Sequence, residues 1–341
     1  MAMASTSTIS NLLQGFVNRT ALEVGQPLLC HQKWAKKYTV PQNNKGTLKL
    51  ERYEKYSTTE SNPIVEGVPP TSVAFTTTQL SISLTQLGNW TEFTDMLQWY
   101  HETDVDVNVL KRMSENMMET GDKFLRDQIL SGITSLYQAT DDVGAYGTGA
   151  LTTVAGSLNP KLIDKVVRTL ERNLAKKIES EVKASTKVGT VPIRDAFLAI
   201  LDPEIKYDCE TTSIWASGTY RAVAEYGDSS LALEGECGAY KHTRFVETTF
   251  VKITAGGGAA TAGKAQTTGA NDVHTVMVFG QDAYASVDYG AGNATKLTKK
   301  NAEVSVADPL GQKHLISWKS LNGGGVLNTS WISKVNVAVQ A

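Results

Sequence analysis

The clearest alternation in the chain is Leu80, Ile82 and Leu84 set between Gln79, Ser81, Ser83 and Thr85, the period of a strand with one buried face. An earlier run, Thr47–Tyr56, places Leu48 and Leu50 on one face and then turns highly charged. Val73 and Phe75 have the opposite parity to Leu80, which predicts a bulge or bend within Thr76–Gln79. Between the runs lies Ser61-Asn-Pro-Ile-Val-Glu-Gly-Val-Pro-Pro70, a turn-rich tip. Two strands with so few apolar positions cannot build a core of their own. They are predicted to form a long hairpin that leans on another surface.

From about Thr103 the period becomes helical. Asp104 and Asp106 suit the positive end of a helix dipole. Leu110, Met113, Met117, Phe124 and Gln128 recur at spacings of three, four or seven, predicting one long amphipathic helix to about Leu130. Met96, Met113, Met117 and Met118 read as core filling before they read as an adaptable groove. Gly144–Gly156, rich in Gly, Thr and Ala, predicts a loop. It leads to Asn159-Pro160, a capping residue followed by a proline suited to the first helical position. Leu162, Val166, Leu170, Leu174 and Ile178 then mark one face of a second helix. Between Lys161 and Lys187 eight basic residues face four acidic ones, a stripe that reads first as a solvated face and second as a seat for a negatively charged partner.

The rest is β-rich. Phe197–Leu201 is an unbroken apolar run that predicts a buried strand, ended by Asp202-Pro203. Arg244–Ile253 and Val273–Phe279 predict further strands, with Thr254–Asn271 between them as an exposed Gly/Ala/Thr loop. Val304–Val306, Leu315–Trp318 and Val335–Val339 alternate in strand fashion near the end, and no internal repeat is present. The class is α+β with a protruding hairpin.

At 341 residues the chain predicts about two domains. Its 33 Lys+Arg against 35 Asp+Glu exclude a polycation that coats nucleic acid, so any contact with DNA must be local. Up to Glu60 eight Lys/Arg face four Glu, a basic arm that reads first as a solvated tail or a strap over a neighbouring subunit and only second as a DNA contact. Cys30, Cys209 and Cys237 are odd in number and without a CxxC, which predicts no disulfide framework and a reducing compartment. Met1–Ser10 lacks the basic and apolar regions of a signal peptide, and no run approaches the ~18–20 apolar residues of a membrane helix, so a soluble, intracellular protein is expected.

Candidate chemistry is sparse. Gly258–Ala265 matches G-x-x-x-x-G-K, but Ala265 offers no hydroxyl for Mg²⁺ and Gln266–Asn271 is a poor helix start for a phosphate loop. His31, His101, His242, His274 and His314 are scattered without metal-ligand spacing. Cys237 and His242 invite a thiolate–imidazole pair, yet nucleophile and base meet through the fold rather than along the chain, so an inert thiol is the stronger reading. No catalytic residue, metal or cofactor is expected. A basic arm and a charged hairpin that bury little alone are elements that neighbouring copies of a chain stabilise. Assembly is the predicted function.

Several strings then follow one another in a recognisable order. They are Val65-Glu66-Gly67-Val68-Pro69-Pro70, Leu84-Thr-Gln-Leu-Gly88-Asn-Trp-Thr-Glu-Phe-Thr-Asp95, Gly235-Glu236-Cys-Gly238, Thr243-Arg-Phe-Val-Glu-Thr248 and Val276-Met-Val-Phe-Gly280-Gln-Asp-Ala-Tyr284. With these the chain, from about Lys45 to its end, resembles the major capsid proteins of tailed double-stranded DNA bacteriophages, and within them the phage N4-type branch. The resemblance implies the Hong Kong 97 type of capsid fold. That means an N-terminal arm (1–44), an extended hairpin loop (45–86), a peripheral domain with a long spine helix (87–191), an axial domain (192–301) and C-terminal strands returning to the peripheral domain (302–341). It implies a non-enzymatic subunit that self-assembles into pentamers and hexamers of an icosahedral shell around double-stranded DNA. Such a virion protein is made and assembled in the bacterial host cytoplasm, with separate scaffolding, portal and decoration proteins as partners and weak, nonspecific contact with packaged DNA. Contacts between subunits are expected at Arg52, Glu54, Lys55, Glu66, Gly67, Pro69 and Pro70. Some members of the wider fold group crosslink Lys to Asn between subunits. Lys45, Lys49 and Lys55 lie in the corresponding element, but no matched Asn or pocketed carboxylate accompanies them, and no crosslink is expected. The alternatives are the shell of a cellular nanocompartment of the same fold and a nucleotide-dependent enzyme using Gly258–Lys264.

Overall fold

In the computed structural model the described residues are 30–41, 46–56, 64–69, 72–100, 105–142, 144–178, 183, 192, 195–211, 220–226, 232–290, 295–304 and 308–341. Strand β1 (Lys36–Val40) is followed by β2 (Thr47–Tyr53) and β3 (Thr77–Ser83), then β4 (Thr85–Thr94), α1 (Asp95–Tyr100) and the long helix α2 (Val105–Gly132). Next come β5 (Leu136–Ala139), β6 (Tyr146–Gly147), α3 (Pro160–Arg172), β7 (Phe197–Leu201) and α4 (Pro203–Thr211). Strands β8 (Tyr220–Ala222), β9 (Glu236–Tyr240), β10 (Thr243–Glu247) and β11 (Lys252–Thr254) lead to the short pair β12 (Gln266–Thr267) and β13 (Ala270–Asn271). The chain closes with β14 (Val273–Phe279), β15 (Tyr284–Tyr289), β16 (Lys296–Lys300), β17 (Lys313–Val326) and β18 (Ile332–Ala338). Among the described residues no helix is long and apolar enough to cross a membrane.

A nine-stranded sheet runs β6-β5-β18-β14-β7-β10-β9-β8, with β11 also on β14. Its middle strand β7 is buried at all five positions because both faces are covered, and for that reason its sequence shows no alternation. Phe197, Ala199 and Leu201 pack with Leu162, Ile163, Val166 and Leu170 of α3, while Leu198 and Ile200 pack with Leu125 and Ile129 of α2. Farther toward its N-terminus α2 lays Met113 and Met117 on Leu297, Ile316 and Trp318 of a second, five-stranded sheet. One helix thus holds both sheets. Met96, by contrast, is 49% exposed and is no core residue.

The axis of the second sheet is β17, which pairs with β4, β15 and β16, while β1 adds in parallel to β15. It runs through Gly323–Gly325 because neighbours crowd it from both sides. A Cβ on Gly324 would stand 2.2 Å from Leu125 Cδ1 of α2, and one on Gly325 2.9 Å from Ile82 Cγ1 of the hairpin. Sheet membership cuts across the segment boundaries drawn from the sequence: Tyr284–Tyr289 and Lys296–Lys300 lie in the five-stranded sheet, Ile332–Ala338 in the nine-stranded one.

Several local expectations are corrected. The register of β2 with β3 is unbroken from Thr47↔Ser83 to Tyr53↔Thr77, so no bulge is needed; Val73 and Phe75 simply precede the strand and are exposed. Asn159 does cap α3, its side chain accepting from the Leu162 N–H. The helix nonetheless stops at Arg172, since Leu174 adopts a left-handed φ of 56° and is 67% exposed, and Ile178 packs with the Leu125 cluster instead. The run Arg244–Ile253 is two strands, β10 and β11, split by a turn at Thr249–Phe250. Val304 is exposed and outside any strand, and residues 305 and 306 lie outside the described residues.

Candidate assembly surface

Strands β2 and β3 form the predicted hairpin, and its base leans on the body as the sparse apolar pattern requires. Ile82, 3% exposed, joins Val40, Ala285 and Val287, with Leu48, Leu50 and Leu80 packed around them. Above this base, Arg52 donates to the Leu327 carbonyl at 3.2 Å and to Glu54 Oε1 at 2.6 and 2.9 Å. Thr78 Oγ1 donates to the same carboxylate oxygen at 2.7 Å, and this bond, with Arg52, holds Glu54 below the usual carboxylate range. Of the expected contact residues, Arg52 and Glu54 therefore have partners within the chain. Lys55 is exposed and lines a cleft of about 630 Å³ between the hairpin and Leu174, Asn328 and Trp331.

Glu66, Gly67 and Pro69 sit at the exposed tip, and Pro70 lies outside the described residues. The tip turn closes with Val68 N–H donating to the Val65 carbonyl at 3.1 Å, and Gly67 supplies the φ of 81° that this turn needs. Beside it Ile64, Val65 and Val68 are 76%, 62% and 59% exposed, and Tyr53, Tyr56, Val73 and Phe75 nearer the base are exposed as well. Leu97, Trp99 and Tyr100 of α1 are exposed too, as are Trp90 of β4 and Val107 of α2. Sequence reading missed these, although Met96-Leu-Gln-Trp-Tyr100 has almost no polar face to give water. Large apolar side chains left exposed in this number make these two places candidate interaction surfaces.

The entry of the N-terminal segment is fixed by one carboxylate on α2. Asp122, fully buried, accepts from the His31 amide at 2.9 Å and the Gln32 amide at 3.0 Å, and its other oxygen lies 2.7 Å from His31 Nδ1. Tyr284 Oη donates to the His31 carbonyl at 2.8 Å. Of the basic stretch, Lys177, beyond the end of α3, lies 3.6 Å from Glu171 and 3.5 Å from Asp195, while the acid Asp164 on α3 is taken up by Lys241 at 2.6 Å. Lys187 lies outside the described residues.

The enzyme-like motifs take other roles. Lys264 is buried and donates to Asp142 Oδ1 at 2.7 Å and to Ser157 Oγ at 2.5 Å, and β12 rather than a helix follows it. A phosphate would find no free ammonium there. Cys237 donates to the Phe245 carbonyl at 3.4 Å, and burial pushes its thiol up to about 12. His242 faces Lys177 Nζ and the Asp195 carbonyl, each at 3.2 Å. The two side chains have different partners.

The two sheets bridged by one long helix, with a projecting hairpin, constitute the Hong Kong 97 type of capsid fold. The capsid protein of Ralstonia phage GP4 superposes with a TM-score of 0.60 over 92% of this chain and 89% of its own, at 11% identity. That of cyanophage P-SCSP1u does so with a TM-score of 0.57 over 90% and 87%, at 14% identity. An encapsulin of Synechococcus elongatus PCC 7942 follows with a TM-score of 0.52 over 89% and 86%, at 7% identity. No protein-family model matches the chain, and no curated protein matches its sequence.

Proposed function

We propose that this chain is the repeating subunit of an icosahedral phage capsid, a structural protein that assembles into pentamers and hexamers around double-stranded DNA. The observation that carries the reading is the set of exposed apolar side chains at the hairpin tip, Ile64, Val65 and Val68, left uncovered among the described residues, on a fold shared with phage capsid proteins. Obligate interfaces typically bury about 2,000–5,000 Å², and a projecting hairpin that crosses a neighbour supplies such area without enlarging the subunit. In this reading Arg52, Glu54, Lys55, Glu66, Gly67, Pro69 and Pro70 meet the adjacent copy, and Arg52 and Glu54 also brace the hairpin from within. The five-stranded sheet with α2 corresponds to the peripheral domain and the nine-stranded sheet to most of the axial domain. Assignment to the N4-type branch rests on the sequence strings alone.

Deleting Asn62–Thr71 tests the latch. Folded subunits that no longer close into shells, seen by negative-stain electron microscopy after a sucrose gradient, are the expected result. Intact shells of unchanged stability from the deletion would refute it. The encapsulin neighbour supplies a second reading, the shell of a cellular nanocompartment. Shells purified from the native source with a cargo protein in place of DNA would favour that one.

A further inference from the structure

Strand β7 ends at Leu201, Asp202 follows it, the chain turns through Pro203 into α4, and Glu204 sits in the first turn of that helix. The antiparallel register Met277↔Ile200 carries β14 past the end of β7, which sets His274 against Asp202 and Glu204. His274 is 2% exposed. Its Nδ1 lies 3.2 Å from Asp202 Oδ2 and its Nε2 3.5 Å from Glu204 Oε2. Despite that distance Nδ1 is out of alignment for a hydrogen bond and is a buried polar atom with no hydrogen-bond partner. Buried ring nitrogens are normally satisfied, so this one calls for an explanation.

The spacing supplies it. One ring nitrogen of His274 and one oxygen each of Asp202 and Glu204 lie within 4.8 Å of one another, the one such grouping among the described residues. Nitrogen and oxygen ligands sit about 2.0–2.2 Å from a zinc-like ion, so two of them on one tetrahedral centre stand roughly 3.4 Å apart. Nδ1 and Asp202 already have that spacing, and Glu204, which now lies nearest Nε2, joins them by turning its exposed carboxylate toward Nδ1. Charge points the same way. Among the described residues no Lys or Arg pairs with either carboxylate: the nearby Lys206 is engaged with Glu247 at 2.8 Å. The neighbouring Asp272 is committed elsewhere, accepting from the Gly256 amide and Thr267 Oγ1.

We propose that Asp202, Glu204 and His274 bind a borderline divalent cation of the zinc class. An imidazole beside two carboxylates suits such an ion better than Ca²⁺ or Mg²⁺, which take oxygen ligands, and the lack of a thiolate disfavours a soft metal. Glu204 is 61% exposed on its side chain, so the open side of the ion faces solvent and water completes the shell. The ion would tie the start of α4 to β14, in the middle of the nine-stranded sheet. The site does not depend on the capsid reading.

Isothermal titration of metal-free full-length protein with ZnCl₂, beside Glu204→Gln and His274→Gln, tests this. One Zn²⁺ per chain is expected, with affinity at least about tenfold lower in either variant. Zn²⁺ should raise the melting temperature of the unaltered chain but not of His274→Gln, and equal Mg²⁺ should do neither. Glu204 is exposed enough that its variant folds, which keeps the test decisive if His274→Gln does not. Zinc binding that is unchanged in Glu204→Gln, or no zinc binding at all, overturns the proposal.

Discussion

Arg244 and Glu236 form a two-point ion pair inside the nine-stranded sheet, Nε to Oε1 at 2.7 Å and Nη2 to Oε2 at 2.6 Å, with side chains 2% and 0% exposed. Tyr226 Oη donates to the first carboxylate oxygen and the Leu233 amide to the second at 2.8 Å, so the carboxylate is saturated. Removing one partner of such a pair strands a charge in the interior. Arg244→Met should destabilise the subunit by about 3–5 kcal/mol in urea unfolding, and adding Glu236→Leu should recover most of the loss. A double variant as unstable as the sum of the singles would show that the pair is not the source.

In the proposed shell, the hairpin tip serves assembly and not folding. Replacing Ile64, Val65 and Val68 together by serine should leave subunit stability within about 0.5 kcal/mol per site, because surface changes rarely cost more. Sedimentation velocity should at the same time show the shell fraction lost. A fall in subunit melting temperature matching the fall in assembly would place the tip against its own body.

The thiols should be inert. Burial pushes Cys30 and Cys237 up to about 12 and Cys209 well above its ordinary value. At pH 8 a thiol near 12 is a thiolate about once in 10⁴ molecules. Native protein should therefore react with Ellman's reagent at least about a hundredfold more slowly than urea-unfolded protein. Rapid labelling of Cys237 that slows on His242→Ala would revive a catalytic pair.

Stability at acid pH should depend on Asp142. Burial raises its pKa, but the hydrogen bonds from Lys264 and the Ser157 amide outweigh this and hold it below the ordinary carboxylate value. A folded-state pKa below the unfolded one gives stability that is complete above the unfolded value, about 3.9, and is lost as pH falls through the folded value. Asp208 nearby is raised by burial and acts in the opposite sense, so the comparison must be with Asp142→Asn rather than with another pH. The melting-temperature gap between the unaltered chain and Asp142→Asn should be widest at pH 7 and close toward pH 3. A gap constant over that range would mean that the Lys264 contact contributes nothing through charge.

What the sequence made legible was local chemistry, and what it hid was crowding. Asn159-Pro160 announced the start of α3 because cap and proline act on their own backbone. Its end did not show, since Leu174 continues the apolar period while its backbone turns left-handed. The hairpin was legible from the alternation about Ile82. The far half of β17 was not: Asn322-Gly-Gly-Gly325 reads as a loop, and only the approach of Leu125 and Ile82 from opposite sides explains glycine inside a strand. His274 looked like one scattered histidine because its partners lie about seventy residues away and meet it only through the register of β14 on β7.

The contact of His31 with Asp122 has a mechanical meaning. Three donors from the incoming segment converge on one carboxylate in the second half of α2, and Tyr284 grips the same turn from the five-stranded sheet. Tension applied to the segment before Cys30 is thus delivered to the helix that holds both sheets before it can peel β1 from its edge. The anchor point is stiff, and whatever pulls on that end pulls on the whole subunit.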